Sequence, residues 1–321
     1  MTTQRVLVTP RSVTKSGHPS FQRLRDAGFE VVFCTPGRQP DEDELLRLLP
    51  GCAGYLAGVE KITAPVLKAA SGLKVISRNG VGIDNVDVEA ARRLGIEVCT
   101  TPGANARGVA EMAIGLMFAL ARAIPASDRA LKDGRWERAQ GMELNGRVLG
   151  VVGCGQIGRV VATLAGGMGM RVRGYDIVRD PAFQPGGGFQ YVELKDLLAA
   201  ADVVTLHCPA CPGGRPLLDR AALAQMKKGA LLVNTARASL LDEAAALDAL
   251  EIGRLGGLAT DVYAAEPPSD LCLVRHPRVV ATPHAAGFTA DSVNRSMEQA
   301  VDNLLNCLVG GSVIERMHRA G

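Results

Sequence analysis

The sequence predicts an α/β protein made of parallel sheets covered by helices, and three observations lead there. Apolar runs of strand length alternate with stretches of helical spacing along most of the chain, joined by short connections. The 321 residues exceed what one hydrophobic core usually serves, so two lobes are expected. A strand, turn, helix and second strand are written into 147–176, and the rest of the chain is arranged around that unit.

The first lobe reads in order as strand 5–10, helix 21–28 with a glycine stop, strand 29–34, acid-started helix 41–49 and strand 53–57. Helix 63–70, strand 74–77, helix 86–94 and strand 96–99 follow. Thr100-Thr101-Pro102-Gly103 is turn chemistry and a hinge. Beyond it a helix over 105–122 carries the small residues Ala110, Ala113 and Gly115 and an apolar surface broader than one face needs. That surface predicts burial against a partner subunit, or against the second lobe in a monomer. Pro125 is expected to end this helix, and Trp136 is the only tryptophan.

In the second lobe Val148 to Val152 has the length and β-branching of a buried parallel strand. Gly153, Gly155 and Gly158 follow at G-x-G-x-x-G spacing. The first permits a tight exit from the strand, the second lets a pyrophosphate approach the backbone, and the third lets the helix lie close to the sheet. Asp176 falls eighteen residues past Gly158, where an acceptor for a ribose 2′-hydroxyl is expected. Its charge favours NAD over NADP, with Arg179 as a possible phosphate partner. Strands 203–206, 230–234, 258–261 and 279–281 alternate with helices 220–226 and 243–250, and 184–188 is a loop. An amphipathic helix over 291–308 can return to cover the first lobe, which would make that lobe discontinuous. Both lobes are thus Rossmann-like or flavodoxin-like.

Composition excludes several classes. Thirty-six basic against thirty-three acidic residues, spread without a block, argue against nucleic acid or an anionic membrane. No apolar run approaches a membrane span or a signal-peptide core, so a cytoplasmic protein is expected. Eight scattered cysteines read as free thiols. Cys208-Pro-Ala-Cys211 is a C-x-x-C that could be redox-active or half a zinc site, yet no second pair completes it, so no metal is expected.

Ligands of open parallel sheets sit beyond the carboxyl ends of the strands. Arg237, Glu266 and His284 fall just past three such ends. A histidine there can exchange the proton that accompanies hydride transfer, a carboxylate can raise its pKa, and an arginine can fork onto a substrate carboxylate. Their plainer alternatives are a structural turn histidine, a solvated loop acid and a surface bridge from Arg237 to Asp261. His207 competes with His284 for the acid/base role.

The chain resembles the D-isomer-specific 2-hydroxyacid dehydrogenase family, within it the D-3-phosphoglycerate dehydrogenase branch. The resemblance covers nearly the whole sequence. It rests on Asn79-Gly80-Val81-Gly82-Ile83-Asp84-Asn85-Val86-Asp87, Glu143-Leu144-Asn145-Gly146-Arg147, Asn234-Thr235-Ala236-Arg237, Asp261-Val262-Tyr263-Ala264-Ala265-Glu266-Pro267-Pro268 and Thr282-Pro283-His284. It implies a discontinuous substrate-binding lobe, 1–101 with 286–321, around an inserted NAD-binding Rossmann lobe, 102–285. The lobes would close on a cleft, in a homodimer built around the 105–122 helix. It implies His284 as acid/base, Glu266 as its partner and Arg237 as carboxylate clamp. On NAD it places Gly153, Gly155, Gln156, Ile157, Gly158, Asp176, Cys208, Pro209, Thr235, Ala236, Arg237, Asp261, His284 and Gly287.

Backbone N–H groups of Asn79, Gly80 and Val81 would hold the substrate carboxylate, and Arg78 could meet a substrate phosphate. The implied activity is hydride transfer between NAD and a small D-2-hydroxy or 2-keto acid, phosphoglycerate first, with hydroxypyruvate or glyoxylate as alternatives. Two rivals remain, a non-catalytic NAD-sensing protein of the corepressor type and a methyltransferase on a similar glycine turn. The sequence departs from the family at Ala238-Ser239, where glycine is usual, and at Ala285-Ala286-Gly287, in place of a glycine pair. With the last helix so near Gly321, the serine-sensing C-terminal domain of some relatives is expected to be absent.

Overall fold

The structure is a computed structural model and describes residues 4–186 and 188–310. Gly187 of the 184–188 loop and the end of the expected 286–321 segment lie outside them. The chain divides into two compact units, one running to Asn105 and resuming at Ala290, the other Ala106–Thr289.

The first unit alternates β1 (Arg5–Val8), α1 (Phe21–Asp26), β2 (Glu30–Phe33), α2 (Glu42–Leu48), β3 (Cys52–Ala57), α3 (Ala64–Ala69), β4 (Val75–Arg78), α4 (Val88–Arg93) and β5 (Glu97–Cys99). All its strand pairs are parallel, in the order β2-β1-β3-β4-β5. Aspartates start two of its helices. Asp41 accepts from the Glu44 N–H at 2.8 Å and Asp87 from that of Ala90 at 2.9 Å, each satisfying a donor the helix leaves unpaired.

The second unit holds α5 (Ala106–Ala121), α6 (Ile124–Lys132), β6 (Val148–Val152), α7 (Gln156–Gly167), β7 (Arg171–Tyr175), β8 (Gln190–Tyr191), α8 (Leu194–Ala200) and β9 (Val203–Leu206). It continues with α9 (Arg220–Gln225), β10 (Ala230–Asn234), α10 (Glu243–Glu251), β11 (Leu255–Thr260), α11 (Cys272–Arg275) and β12 (Val279–Ala281). Its seven strands are parallel, ordered β12-β11-β10-β9-β6-β7-β8. The order reverses at β6, so the crevice between the ends of β6 and β9 is the switch point where such sheets bind ligands.

One expectation needs correcting. Pro125 does not simply stop a helix. Ala123, left-handed at φ +49°, separates α5 from α6, and Pro125 sits in the first turn of α6, where a missing N–H costs nothing. Of the two burials expected for the broad apolar surface of α5, the one against the second lobe is seen, since Ala110, Ala113, Leu116 and Met117 pack in one core with Val161, Ala162 and Ala165 of α7 and Val233 of β10. Among the described residues no single helix is long and apolar enough to cross a membrane; α5 and α6 meet that test only as a pair bent by 61°.

The last helix, α12 (Ala290–Leu308), belongs to the first unit. Its Met297, Ala300, Val301 and Leu304 are buried with Val6, Val8, Leu56 and Val75 on one face of that sheet. Arg295 donates to the Ala104 carbonyl at 2.9 Å, and Asn303 to the Thr100 carbonyl at 2.9 Å. The two ends of the chain thus share one core.

Candidate active site

The glycine turn after β6 is shaped by close approach. Gly153 has φ +92°, and a Cβ there would lie 2.6 Å from the Cys208 nitrogen at the end of β9. A Cβ on Gly158 would lie 1.9 Å from the Gly153 carbonyl, so only glycine lets α7 start this near the strand. Gly155, which caps α7, faces open space. Exposed Gln156 and half-buried Ile157 begin a twelve-residue helix whose free N–H groups and dipole suit an anion. Asp176, just past β7, accepts from the Cys154 N–H at 2.6 Å and the Val178 N–H at 3.0 Å, so its carboxylate is held at the lip of the turn.

At the neighbouring strand end His207 has Nε2 2.9 Å from the Thr205 hydroxyl and Nδ1 buried without a partner. Burial pushes this imidazole down to about 3, which keeps it neutral and unsuited to proton donation. The Cys208 thiol is half-buried, and burial, then the neighbouring Cys211, push it up to about 11. A thiol so weakly ionised is a poor redox nucleophile. Pro209 beside it is exposed.

Beyond β10 buried Asn234 ties its own turn together. Its Oδ1 accepts from the Ala236 N–H at 3.0 Å, and its Nδ2 donates to the Arg237 carbonyl at 2.9 Å. Arg237 donates to the Ala236 carbonyl at 2.7 Å, and the Thr235 hydroxyl is buried without a partner. Beyond β11 and β12, Nδ1 of His284 lies 2.8 Å from both carboxylate oxygens of Glu266. That bond, and the negative charges of Glu266 and Asp261, raise the His284 pKa against burial and the Arg237 charge. Burial would raise Glu266, but the bond and charge of His284 outweigh it and hold the carboxyl below its ordinary value, with help from the Tyr263 N–H and Arg237. The pair leaves Nε2 as the ring nitrogen able to exchange a proton.

His284 is itself left-handed, with φ +49°, a conformation that a non-glycine residue holds only when its surroundings enforce it. Asp261 enforces it. Fully buried, it accepts from the Thr282 hydroxyl at 2.6 Å and from the Ala285 and Ala286 N–H groups at 2.8 Å each. The Tyr263 hydroxyl adds a 2.7 Å bond to the Thr282 carbonyl, joining the Glu266 loop to the His284 turn.

In the first unit, the loop after β4 is folded on itself. Arg78 donates to the Asn79 carbonyl, and its guanidinium occupies the space a Cβ on Gly80 would need. The Asn79 N–H goes to the Ala57 carbonyl at 2.8 Å, and the Gly80 N–H to the Arg78 carbonyl and the buried Thr101 hydroxyl, each at 2.9 Å.

Residues 114–286 match the NAD binding domain of the D-isomer specific 2-hydroxyacid dehydrogenases. The chain belongs to this family. It is 39% identical over 293 residues to the D-3-phosphoglycerate dehydrogenase of Homo sapiens, an alignment covering 90% of this chain and 54% of that enzyme. The chain therefore spans about half the length of the curated relatives it matches. Among solved structures, a protein from Thermus thermophilus superposes with a TM-score of 0.86 at 38% identity, covering 96% of this chain and 97% of that one. A D-lactate dehydrogenase from Aquifex aeolicus, complexed with NAD and lactic acid, gives 0.82 at 28% identity, covering 95% and 96%.

NAD, the cofactor of this dehydrogenase domain, fits the residues present. The open side of Gly155, the α7 N-terminus, the Asp176 carboxylate and the unpartnered Thr235 hydroxyl and His207 nitrogen are a donor and acceptor set for a dinucleotide. Arg179, considered as a 2′-phosphate partner, is engaged by Glu193 at 2.5 Å.

Two readings are corrected. Asp261 forms no surface bridge, because it lies under the His284 turn with no exposed surface. Of the three amides expected to grip substrate, that of Asn79 is engaged by the Ala57 carbonyl and that of Gly80 by the Arg78 carbonyl and Thr101 hydroxyl, which leaves Val81. The family departures are absorbed: Ala238 enters a 3-10 turn, Ala238–Leu240, that needs no left-handed residue, and His284 takes the positive φ ahead of Ala285. Gly287 follows in the same turn, half-buried. Asn234, Tyr263, Thr282 and Thr101 were missed as positioning residues; the signal was a polar side chain inside or beside an apolar strand, which must find a partner once buried.

Proposed function

We propose that the chain is an NAD-dependent oxidoreductase that moves hydride between nicotinamide and C2 of a small D-2-hydroxy or 2-keto acid. The observation that carries this is the His284–Glu266 pair with Arg237, set beyond adjacent strand ends of the NAD binding domain. NAD supplies the hydride donor or acceptor. In reduction, His284 donates the Nε2 proton to the substrate oxygen while Glu266 stabilises the imidazolium and fixes its ring. Arg237 clamps the substrate carboxylate and polarises the neighbouring carbonyl.

The first substrate in this proposal is D-3-phosphoglycerate and its keto acid. Hydroxypyruvate or glyoxylate is the second reading, in keeping with the bond Arg78 makes to the Asn79 carbonyl of its own loop. Incubation with NADH and a panel holding phosphohydroxypyruvate, hydroxypyruvate, glyoxylate and pyruvate tests both. Loss of NADH absorbance with at least one keto acid is expected, and the ratio of kcat/KM values ranks the substrates. Binding of NADH without turnover on any of them would instead indicate a sensor.

We also propose a homodimer through the outer side of α5 and α6 and the segment that follows, where Phe118, Ile124, Leu131 and, after α6, Trp136 are exposed. Sedimentation of the parent and of Leu131→Asp tests it. A cytoplasmic setting is proposed from eight free cysteines, which suit a reducing compartment.

A further inference from the structure

Glu97, Cys99 and Cys307 form a cluster that the proposed reaction does not use. Residues two apart on a strand share a face, so Glu97 and Cys99 project together from β5, the edge strand of the first sheet, while Val98 is buried on the other side. Cys307, in the last turn of α12, meets them. The three potential ligand atoms all lie within 4.8 Å of one another, and all three side chains are half-buried.

The arrangement is held from outside the cluster. Asn303, one helical turn before Cys307, donates to the Thr100 carbonyl at 2.9 Å and to the Ser77 hydroxyl at 3.3 Å, anchoring the end of α12 over β4 and β5. We infer that Glu97, Cys99 and Cys307 bind a thiophilic divalent cation of the Zn2+ type.

The spacing suits such an ion. A tetrahedral Zn2+ with bonds of about 2.3 Å to sulfur and about 2.0 Å to oxygen sets those ligand atoms about 3.5 Å apart. Sγ of Cys99 is 3.6 Å from Oε1 of Glu97. Two sulfurs and one carboxylate select Zn2+ over Mg2+ or Ca2+, and partial exposure leaves the fourth position to water. Both thiols lose a proton to solvent, two metal–sulfur bonds and one metal–oxygen bond replace bonds to water, and no electron is transferred. The bound ion would cross-link two segments of one unit that are 208 residues apart in sequence, from 99 to 307. It would thereby stabilise that unit by mass action.

Cobalt(II) added to the 321-residue chain, kept reduced and freed of metal by chelation, tests the inference. A thiolate-to-cobalt charge-transfer absorption saturating near about one ion per chain is expected. It is lost in Cys99→Ser and in Cys307→Ser but retained in Cys211→Ser. Parent protein lacking the absorption, or keeping it in both Cys99→Ser and Cys307→Ser, overturns the site. Should the serine variants fail to fold, alkylation of the parent with and without Zn2+ decides, read residue by residue by mass spectrometry. Protection of Cys99 and Cys307 but not of exposed Cys272 supports the site, and equal labelling with and without the ion rejects it.

Discussion

Both carboxylate oxygens of Glu266 lie 2.8 Å from Nδ1 of His284, so one acid fixes the ring's tautomer, its orientation and its charge. The raised His284 pKa follows mainly from that bond. The proposed reduction needs the protonated ring and should be lost as pH rises through the His284 pKa. Glu266→Gln removes the charge, lowers that pKa and moves the alkaline limb of kcat/KM to lower pH. A profile that does not move would show that the pair has no role in protonation.

The same pair shapes stability against pH. Raised in the folded state, His284 contributes fully below its unfolded pKa and loses the contribution as pH rises through its folded one. Glu266, lowered, contributes fully above its unfolded pKa and loses it as pH falls through its folded one. The contribution should be largest between about pH 4.3 and about 6.5, the ordinary values of the two groups. Thermal melts across that range in parent and Glu266→Gln should differ most inside the window, and a constant difference would contradict the linkage.

Asp261→Ala removes three hydrogen bonds from the turn that holds His284 left-handed. A displacement of the reacting group by about 1 Å costs on the order of 100-fold in rate, so kcat should fall on that scale. The KM for NADH should change far less. Equal losses in both would point to a collapsed domain instead.

Gly158→Ala places a methyl 1.9 Å from the Gly153 carbonyl. Because backbone must move, a loss of about 1–3 kcal/mol in stability is expected, together with weaker NADH binding by fluorescence titration. Unchanged affinity would remove the turn from the nucleotide site.

Glu60 is buried in the first unit and accepts from the Tyr55 hydroxyl at 2.6 Å, the Gly58 N–H at 2.8 Å and the Thr9 hydroxyl. Glu60→Ala strands those donors, and denaturant unfolding should show a loss of about 3 kcal/mol. A change below about 0.5 kcal/mol, typical of surface substitutions, would mean that water replaces the acid freely.

What the sequence determined by itself was local in origin. Strand and helix periodicity, the three glycines, Asp176 and the positions of Arg237, Glu266 and His284 past strand ends are set by short-range geometry, so they could be read without coordinates. Short elements with weak periodicity escaped that reading: α6, hidden behind Pro125, and β8, α8 and α11. Tertiary structure alone decided who partners whom. Asp261 proved to support a turn 24 residues further on, Arg179 to pair with Glu193, Gly80 to give its amide to Thr101, and Cys99 to meet Cys307. A buried polar group or thiol takes its partner from whichever strand or helix packs beside it. That neighbour is chosen by the winding of the sheets and the return of the last helix, not by distance along the chain.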